Sequence, residues 1–501
     1  MATVVTTASL AISGCSFDRD EPATVTMPEK GTTTSTVPPT LAPDSGAPDT
    51  GGSSAVQDVP PALAWSVQIG GAGDDVLRSV TDSQASVLAV GSTAAGIADP
   101  TSGGPDVLST TVATDGTVES VDQFGSDSAD DATAVASTQE SVLACGSTTG
   151  ALGAAANGGS SDAWCAPLPA TPDRRVGQLG GPEAEQITGL SLPRDVARSS
   201  EVGTGAGYAS GAIDGFFPGA EDPAGQGLGG GDALAFRVGA DGSAIWTRQF
   251  GTPTEDASTA VCAVDADGVF VGYTDGDLEG RTKGARDGWI SRIDETGVQR
   301  WITQFGATGN DEFRAVAASG EARRGTEQFV AVGSTDGDID ADGPLANSGA
   351  QDAMITAFGS DGSTLWATQL GGELADSATA VVADGSTVYV AGTTQTVAVA
   401  PDGTTAQIGL GELDPSVGPG GLADGFLAAL DATTGEVRWI VRLGTAQDES
   451  VTGMTTTEDG LLVISGSTGG QIADTPPAGG LDGFLLAFPL PSSGGGAANS
   501  V

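Results

Sequence analysis

Trp301-Ile302-Thr303-Gln304-Phe305-Gly306-Ala307-Thr308-Gly309-Asn310-Asp311-Glu312-Phe313-Arg314-Ala315-Val316 contains the spacing that organises the whole chain. Trp301 is followed by Gln304, Gly306, the acid Asp311 and the apolar Val316, and this frame recurs seven times. The Gln or Arg stands at 68, 123, 178, 249, 304, 369 and 442. The glycines are Gly70, Gly125, Gly180, Gly251, Gly306, Gly371 and Gly444, and five residues after each comes an entry acid: Asp75, Asp130, Glu185, Asp256, Asp311, Asp376 and Glu449. Five further on stand Val80, Val135, Leu190, Val261, Val316, Val381 and Met454. Fixed offsets held over this many copies are the signature of a repeat architecture.

Each copy continues with an apolar run ending in Gly-Ser-Thr or a variant, as at Gly91, Gly146, Gly333 and Gly466. An Asp and a bulky apolar residue follow, as in Asp287/Trp289 and Asp424/Phe426. Five copies close on Trp65, Trp246, Trp301, Trp366 and Trp439, whereas Ser120 and Arg175 occupy that place in units two and three. One unit therefore reads as four short strands, exemplified by Ala257 to Val264, Val388 to Gly392, Gly425 to Leu430 and Arg438 to Leu443. The repeat length runs from 55 residues (68 to 123) to 73 (369 to 442). That length and strand count predict an all-β, seven-bladed β-propeller of four-stranded antiparallel blades. The last unit stops after its third strand, near Leu490, and an unpartnered strand, Trp65 to Ile69, stands first; paired, the two complete blade seven and close the ring.

The Trp strand, the Gly-Gly-x-x-Asp turn, the Gly-Ser-Thr strand and the Asp-Gly-Phe strand resemble the bacterial beta-propeller repeats called SBBP, over roughly residues 63 to 490. The resemblance implies the fold and an extracytoplasmic setting, and no general activity.

Composition narrows function by exclusion. With 19 Lys and Arg against 65 Asp and Glu, the net charge of −46 repels nucleic acid and anionic lipid and suits cations or basic partners. The chain has no His, which removes Ser-His-Asp and Cys-His catalysis and every histidine-ligated metal. At the N-terminus, 1–15 reads as a signal peptide whose Ile12-Ser13-Gly14-Cys15 end resembles a lipobox, making Cys15 the candidate lipidation site; a chance cysteine in a frayed terminus is the alternative. Residues 16–60 form a Thr/Ser/Pro/Gly-rich tether, 61–491 the propeller and 492–501 a tail. The expected location is extracytoplasmic, lipid-anchored or secreted, with membrane contact only through the anchor.

Seven-fold repeated residues point in seven directions about the axis, so the entry acids read as structural acceptors of turn N–H groups. Function is expected where the symmetry breaks. The segment to the strand-three Asp takes 20 residues in unit three (Ala212 to Asp232) and 30 in unit six (Thr394 to Asp424), against 13 in unit one (Thr93 to Asp106). Candidate binding residues in those loops are Phe216, Phe217, Asp222, Asp402, Glu412 and Asp414, neutral loop drift being the alternative. Asp336, Asp338, Asp340, Asp342 and Gly343 resemble the start of a calcium loop, although Gly349 stands where an EF-hand carries Glu; Ca²⁺ or a plain solvated acidic loop are the two readings. Cys145 and Cys165 fall on neighbouring strands and form a possible disulfide, and Cys262 reads as a buried free thiol. The face carrying the entry turns and the strand two to three loops is expected to be electronegative. These features favour a monomeric, non-catalytic binding or scaffold module for a protein or glycan ligand, with no certain cofactor. The rival is a carbohydrate-active enzyme using a carboxylate pair near the channel.

Overall fold

The computed structural model describes residues 60–491 apart from short stretches, the longest being 194–206, 221–228, 340–349, 396–410 and 413–422. Cys15, the tether and the tail lie outside the described residues. Every regular element among the described residues is a β-strand. Blade one comprises Asp75–Ser83, Ser86–Thr93, Asp106–Ala113 and Val118–Phe124, paired in that order. Blades two to six repeat this order from Asp130, Ala184, Asp256, Asp311 and Asp376, and blade seven starts at Glu449. The entry acids are themselves strand residues, so the turn they serve ends on the strand rather than before it.

Ring closure uses the pair of strands expected from the sequence. Trp65–Ile69 pairs antiparallel with Asp482–Pro489, Trp65 facing Ala487 and Ile69 facing Gly483. Blade seven is thereby completed by a strand more than 400 residues away, since the side chain of Gln68 reaches Asp482 at a separation of 414. Blade six departs from the four-strand plan: Gly411–Glu412 pairs parallel with the outer strand Val437–Leu443 as a fifth strand.

Burial explains the residue choice strand by strand. The second and third strands are covered on both faces by neighbouring blades, and Leu461–Thr468 and Asp482–Pro489 are buried almost throughout. Near-continuous apolar runs are what such two-sided burial demands. Outer strands such as Val118–Phe124 are half in water and correspondingly polar.

A bulge in every first strand joins one blade to the next. The ladder skips one residue, three positions after the entry acid, as between Ile187 and Gly189 or Ser258 and Ala260. In five blades the skipped residue is Thr133, Thr188, Thr259, Thr379 or Thr452, and freed from the ladder it turns to the neighbour. Each hydroxyl donates to a backbone carbonyl of the following blade: Ile187 (2.5 Å), Ser258 (2.7 Å), Phe313 (2.6 Å), Val451 (2.7 Å) and Leu77 (2.6 Å). The last of these spans the closing seam. Opposite the bulge the second strand needs Gly, because a Cβ on Gly91 or Gly333 would stand 1.8 Å from the carbonyl oxygen of Val76 or Glu312.

Farther out, tryptophans clasp four of the seams. The indole N–H groups of Trp65, Trp246, Trp301 and Trp366 donate to Thr114, Glu295, Ser360 and Ala432 in the hairpin of the next blade (2.9, 3.0, 3.0 and 3.0 Å). Each ring lies on a hairpin glycine of positive φ; a Cβ on Gly362 (φ 82°) would meet the Trp301 ring at 2.8 Å. Trp439 has no such hairpin before it, because the outer strand of blade seven is the N-terminal one, and it packs against Tyr389 instead.

In blade two Cys145 and Cys165 face each other in register and form a disulfide, both fully buried. Their blade has the shortest outer strand, Gly177–Leu179. Replacing both by Ala is expected to lower the unfolding free energy by about 3 kcal/mol in a urea titration, on loop-closure grounds. Val67→Asp places a charge at a position 7% exposed in the closing strand, and costs about 3 kcal/mol or more, whereas Ser66→Asp beside it costs under about 1 kcal/mol.

Candidate functional site

The entry turns and the strand two to three loops share one rim, because backbone bonds tie them together: Ala94 N to Asp74 O, Asp275 N to Glu255 O and Gly469 N to Asp448 O. What shapes this rim is the repeated Gln, whose role the sequence spacing did not disclose. Gln304 Nε2 donates to Asp287 Oδ2 (2.8 Å) and Gly276 O (3.0 Å), while its Oε1 accepts Leu278 N–H (3.0 Å). Gln68, Gln178, Gln249 and Gln369 repeat these three contacts, and Gln123 makes the bonds to Asp106 and to Ile97 N–H. One amide thus anchors the loop that follows strand two and satisfies the buried strand-three Asp. In blade six Arg442 replaces Gln and ion-pairs with Asp424, both side chains buried at 9% and 1% exposure. This is also the blade whose loop is longest.

The entry acids accept the turn N–H groups expected of them. Asp75, Asp130, Asp256, Asp311, Asp376 and Glu449 take the N–H of Gly71, Ser126, Thr252, Ala307, Gly372 and Thr445 at 2.5 to 2.8 Å. A Thr ending strand two lies opposite each of them in the ladder; Thr148 donates to Asp130 (2.5 Å) and Thr468 to Glu449 (2.6 Å). Burial still lifts the carboxyl pKa of Asp75, Asp130, Asp256, Asp311 and Glu449 above the ordinary range, with these hydroxyls and amides pulling the other way. Glu185 is the exception. No side-chain donor reaches its buried oxygens, and burial pushes its pKa up to about 7 against the pull of the Gly181 amide.

The other predicted residues sort as follows. Phe217 belongs to the core: it is 8% exposed, packs edge-on against Phe236 and donates its N–H to Gln249. Phe216 beside it is exposed. Glu412 belongs to the fifth strand of blade six rather than to an irregular loop. Asp222, Asp402, Asp414, Asp340 and Asp342 lie outside the described residues. Asp336 holds the turn of blade five, accepting Asn310 N–H (2.5 Å) and Nδ2 (2.8 Å), and Asp338 is exposed. Among the described residues no group of three His, Cys, Asp or Glu side chains is placed to hold a metal ion.

Repeated residues do converge in one place. A cavity of about 470 Å³ is lined by the first strands of all seven blades, where Val135, Leu190, Val261, Val316, Val381 and Met454, the large apolar residue of six repeats, meet around the axis. Cys262 lines it too and is half-buried, a correction to the expected buried thiol. Asp265 is the one carboxylate among the described residues of the lining. The Ser360-Asp361-Gly362-Ser363 stretch is a hairpin turn in which Asp361 accepts the N–H (3.0 Å) and hydroxyl (2.6 Å) of Ser363. On the rim, exposed Asp74, Asp127, Glu183, Glu255, Glu373 and Asp448 occupy six of the seven entry turns.

No protein-family model matches the chain, and no curated protein matches it in sequence. Solved structures match by shape. The WD40 propeller domain of Doa1 shares 11% identity over 85% of this chain and 97% of its own, with a TM-score of 0.43. Drosophila Plexin A, in complex with Semaphorin 1b, shares 10% over 86% and 87% (TM-score 0.43). The propeller domain of the Trilobed protease from Pyrococcus furiosus shares 10% over 82% and 92% (TM-score 0.39). The fold is a seven-bladed β-propeller. These propellers include enzymes and binding proteins, so the likeness ends at the fold.

The anchoring role of the Gln position is testable. Arg442→Met strands the buried Asp424 and is expected to cost about 3–5 kcal/mol in chemical unfolding. Arg442→Gln, the residue used by the other six blades, is expected to cost less than half as much.

Proposed function

We propose that this chain is a non-catalytic binding or scaffold propeller of the SBBP type, displayed outside the cytoplasm, whose acidic rim receives a basic segment of a partner protein or a cation. One observation carries the reading: a single rim bears an exposed carboxylate in six of seven entry turns, while the repeat acids beneath are committed to the frame. Like charges on a rigid ring focus a negative potential over its centre, which raises the local concentration of a cationic ligand and its encounter rate. The buried Cys145–Cys165 bridge suits an oxidising compartment, and anchorage through Cys15 belongs to the same proposal.

Binding of an oligolysine peptide, followed by calorimetry at low and high salt, tests it. The wild-type chain is expected to bind with an affinity that falls as salt rises, and the Asp74→Asn, Asp127→Asn, Glu183→Gln, Glu255→Gln combination to lose at least about tenfold. Equal binding by the two, or a glycan turned over by the wild type, overturns the proposal.

A further inference from the structure

Blade three lacks a fitting that the other blades keep. Glu449 of blade seven is a direct internal control for Glu185, having the same residue type at the same repeat position. Glu449 takes the N–H and hydroxyl of Thr445 (2.7 and 2.6 Å) and the hydroxyl of Thr468 (2.6 Å). In blade three Gly181 stands where Thr445 stands, and Ile213 faces Glu185 across the ladder where Thr468 faces Glu449. Both hydroxyls are gone. Glu185 is 1% exposed, and the one donor that acts on its carboxyl is the Gly181 amide.

Among the described residues no cation acts on this carboxyl. The charged groups that act on Glu185 are Asp162, from the third strand of blade two, and Glu183, from its own turn, and both are acidic. Asp214, next to Ile213, is exposed. A buried carboxylate helped by one backbone amide, with no hydroxyl and no cation, is poorly held as an anion and better held as a neutral acid. The seam it sits in is thin for other reasons. Blade two carries no Trp in its outer strand, and at that level Gly177 rests directly against Gly242, with room for a Cβ lacking at 2.4 Å. The inner bond from Thr133 to Ile187 remains, together with Gln178 holding Asp162.

We propose that Glu185 is a proton-binding site that makes the seam between blades two and three a pH-sensitive joint of the ring, closed while the carboxyl is neutral and loosened when it ionises. The sign is opposite to that of a salt-bridged acid. With its folded pKa raised to about 7 from an ordinary 4.5, Glu185 holds its proton more tightly in the folded chain, so its contribution is full at low pH and is lost as pH rises between those two values. The neutral form is a device of an acidic molecule: it keeps one negative charge out of a frame already at −46.

The test compares thermal melting of wild type, Glu185→Gln and Ile213→Thr at pH 5 and pH 8. Glu185→Gln is expected to melt within about 1 °C of wild type at pH 5 and about 3 °C above it at pH 8. Ile213→Thr, which restores the hydroxyl, is expected to shrink the difference between its own two melting temperatures relative to wild type. A constant offset between Glu185→Gln and wild type at both pH values would mean a purely structural residue and would sink the proposal. Amide hydrogen exchange on the unmodified chain gives a second reading. Protection over 184–191 and 207–214 is expected to fall between pH 6 and pH 8, after correction for intrinsic rates, more than over the equivalent 449–456 and 461–468 of blade seven. Equal falls in both blades overturn it.

Discussion

Each blade buries both faces of its sheet against its neighbours, so the ring has no stable partial form: an open seam puts two apolar faces into water at once. The seams are therefore what the rest of the structure depends on. They are built at three radii. Bulge threonines bond the inner strands to the next blade, entry acids hold the turns between blades, and indoles close over the hairpins outside. Individually these bonds contribute about 1 kcal/mol each; repeated around a closed ring they act on every blade from both sides. The strand Trp65–Ile69 supplies what repetition cannot, a partner for the last open edge.

Acidity serves two purposes in the same turn. The residue that starts the first strand is buried and committed to turn amides, while an acid one to three positions earlier faces water. The first is a local solution to unpaired backbone donors. The second adds to a field over one rim, and its value lies in facing water. Charge counting alone cannot separate these populations, since both contribute equally to −46.

Departures from the repeat come in coupled sets. Where Gln becomes Arg442, the loop it would have anchored grows to 30 residues, and a strand from that loop region, Gly411–Glu412, covers the edge of the blade. Where the closing Trp is absent from blade two, a disulfide ties its middle strands and glycine backbone approaches the next hairpin. Where Glu185 has lost its hydroxyls, its carboxyl pKa is raised by burial in one of the seams that lack the indole clasp. A frame of equivalent seams tolerates one altered level because the others still hold.

Offsets along the chain by themselves determined the number of blades, the four-strand unit, the strand that closes the ring and the structural standing of the entry acids, because a repeat of constant spacing admits one stacking solution. The bulge threonines were periodic too, at three residues after five of the seven acids, yet their spacing carries no sign that a skipped residue turns toward the next blade. That Gln304 grips Leu278 and Gly276, that Phe217 is core while Phe216 is not, and that Val135, Val261 and Val381 share one axial cavity were decided only by tertiary structure. The reason is physical. Periodicity reports which residues are equivalent, whereas partners are set by the rotation between blades, which brings together groups some 50 to 70 residues apart and, at the closing seam, 375 or more.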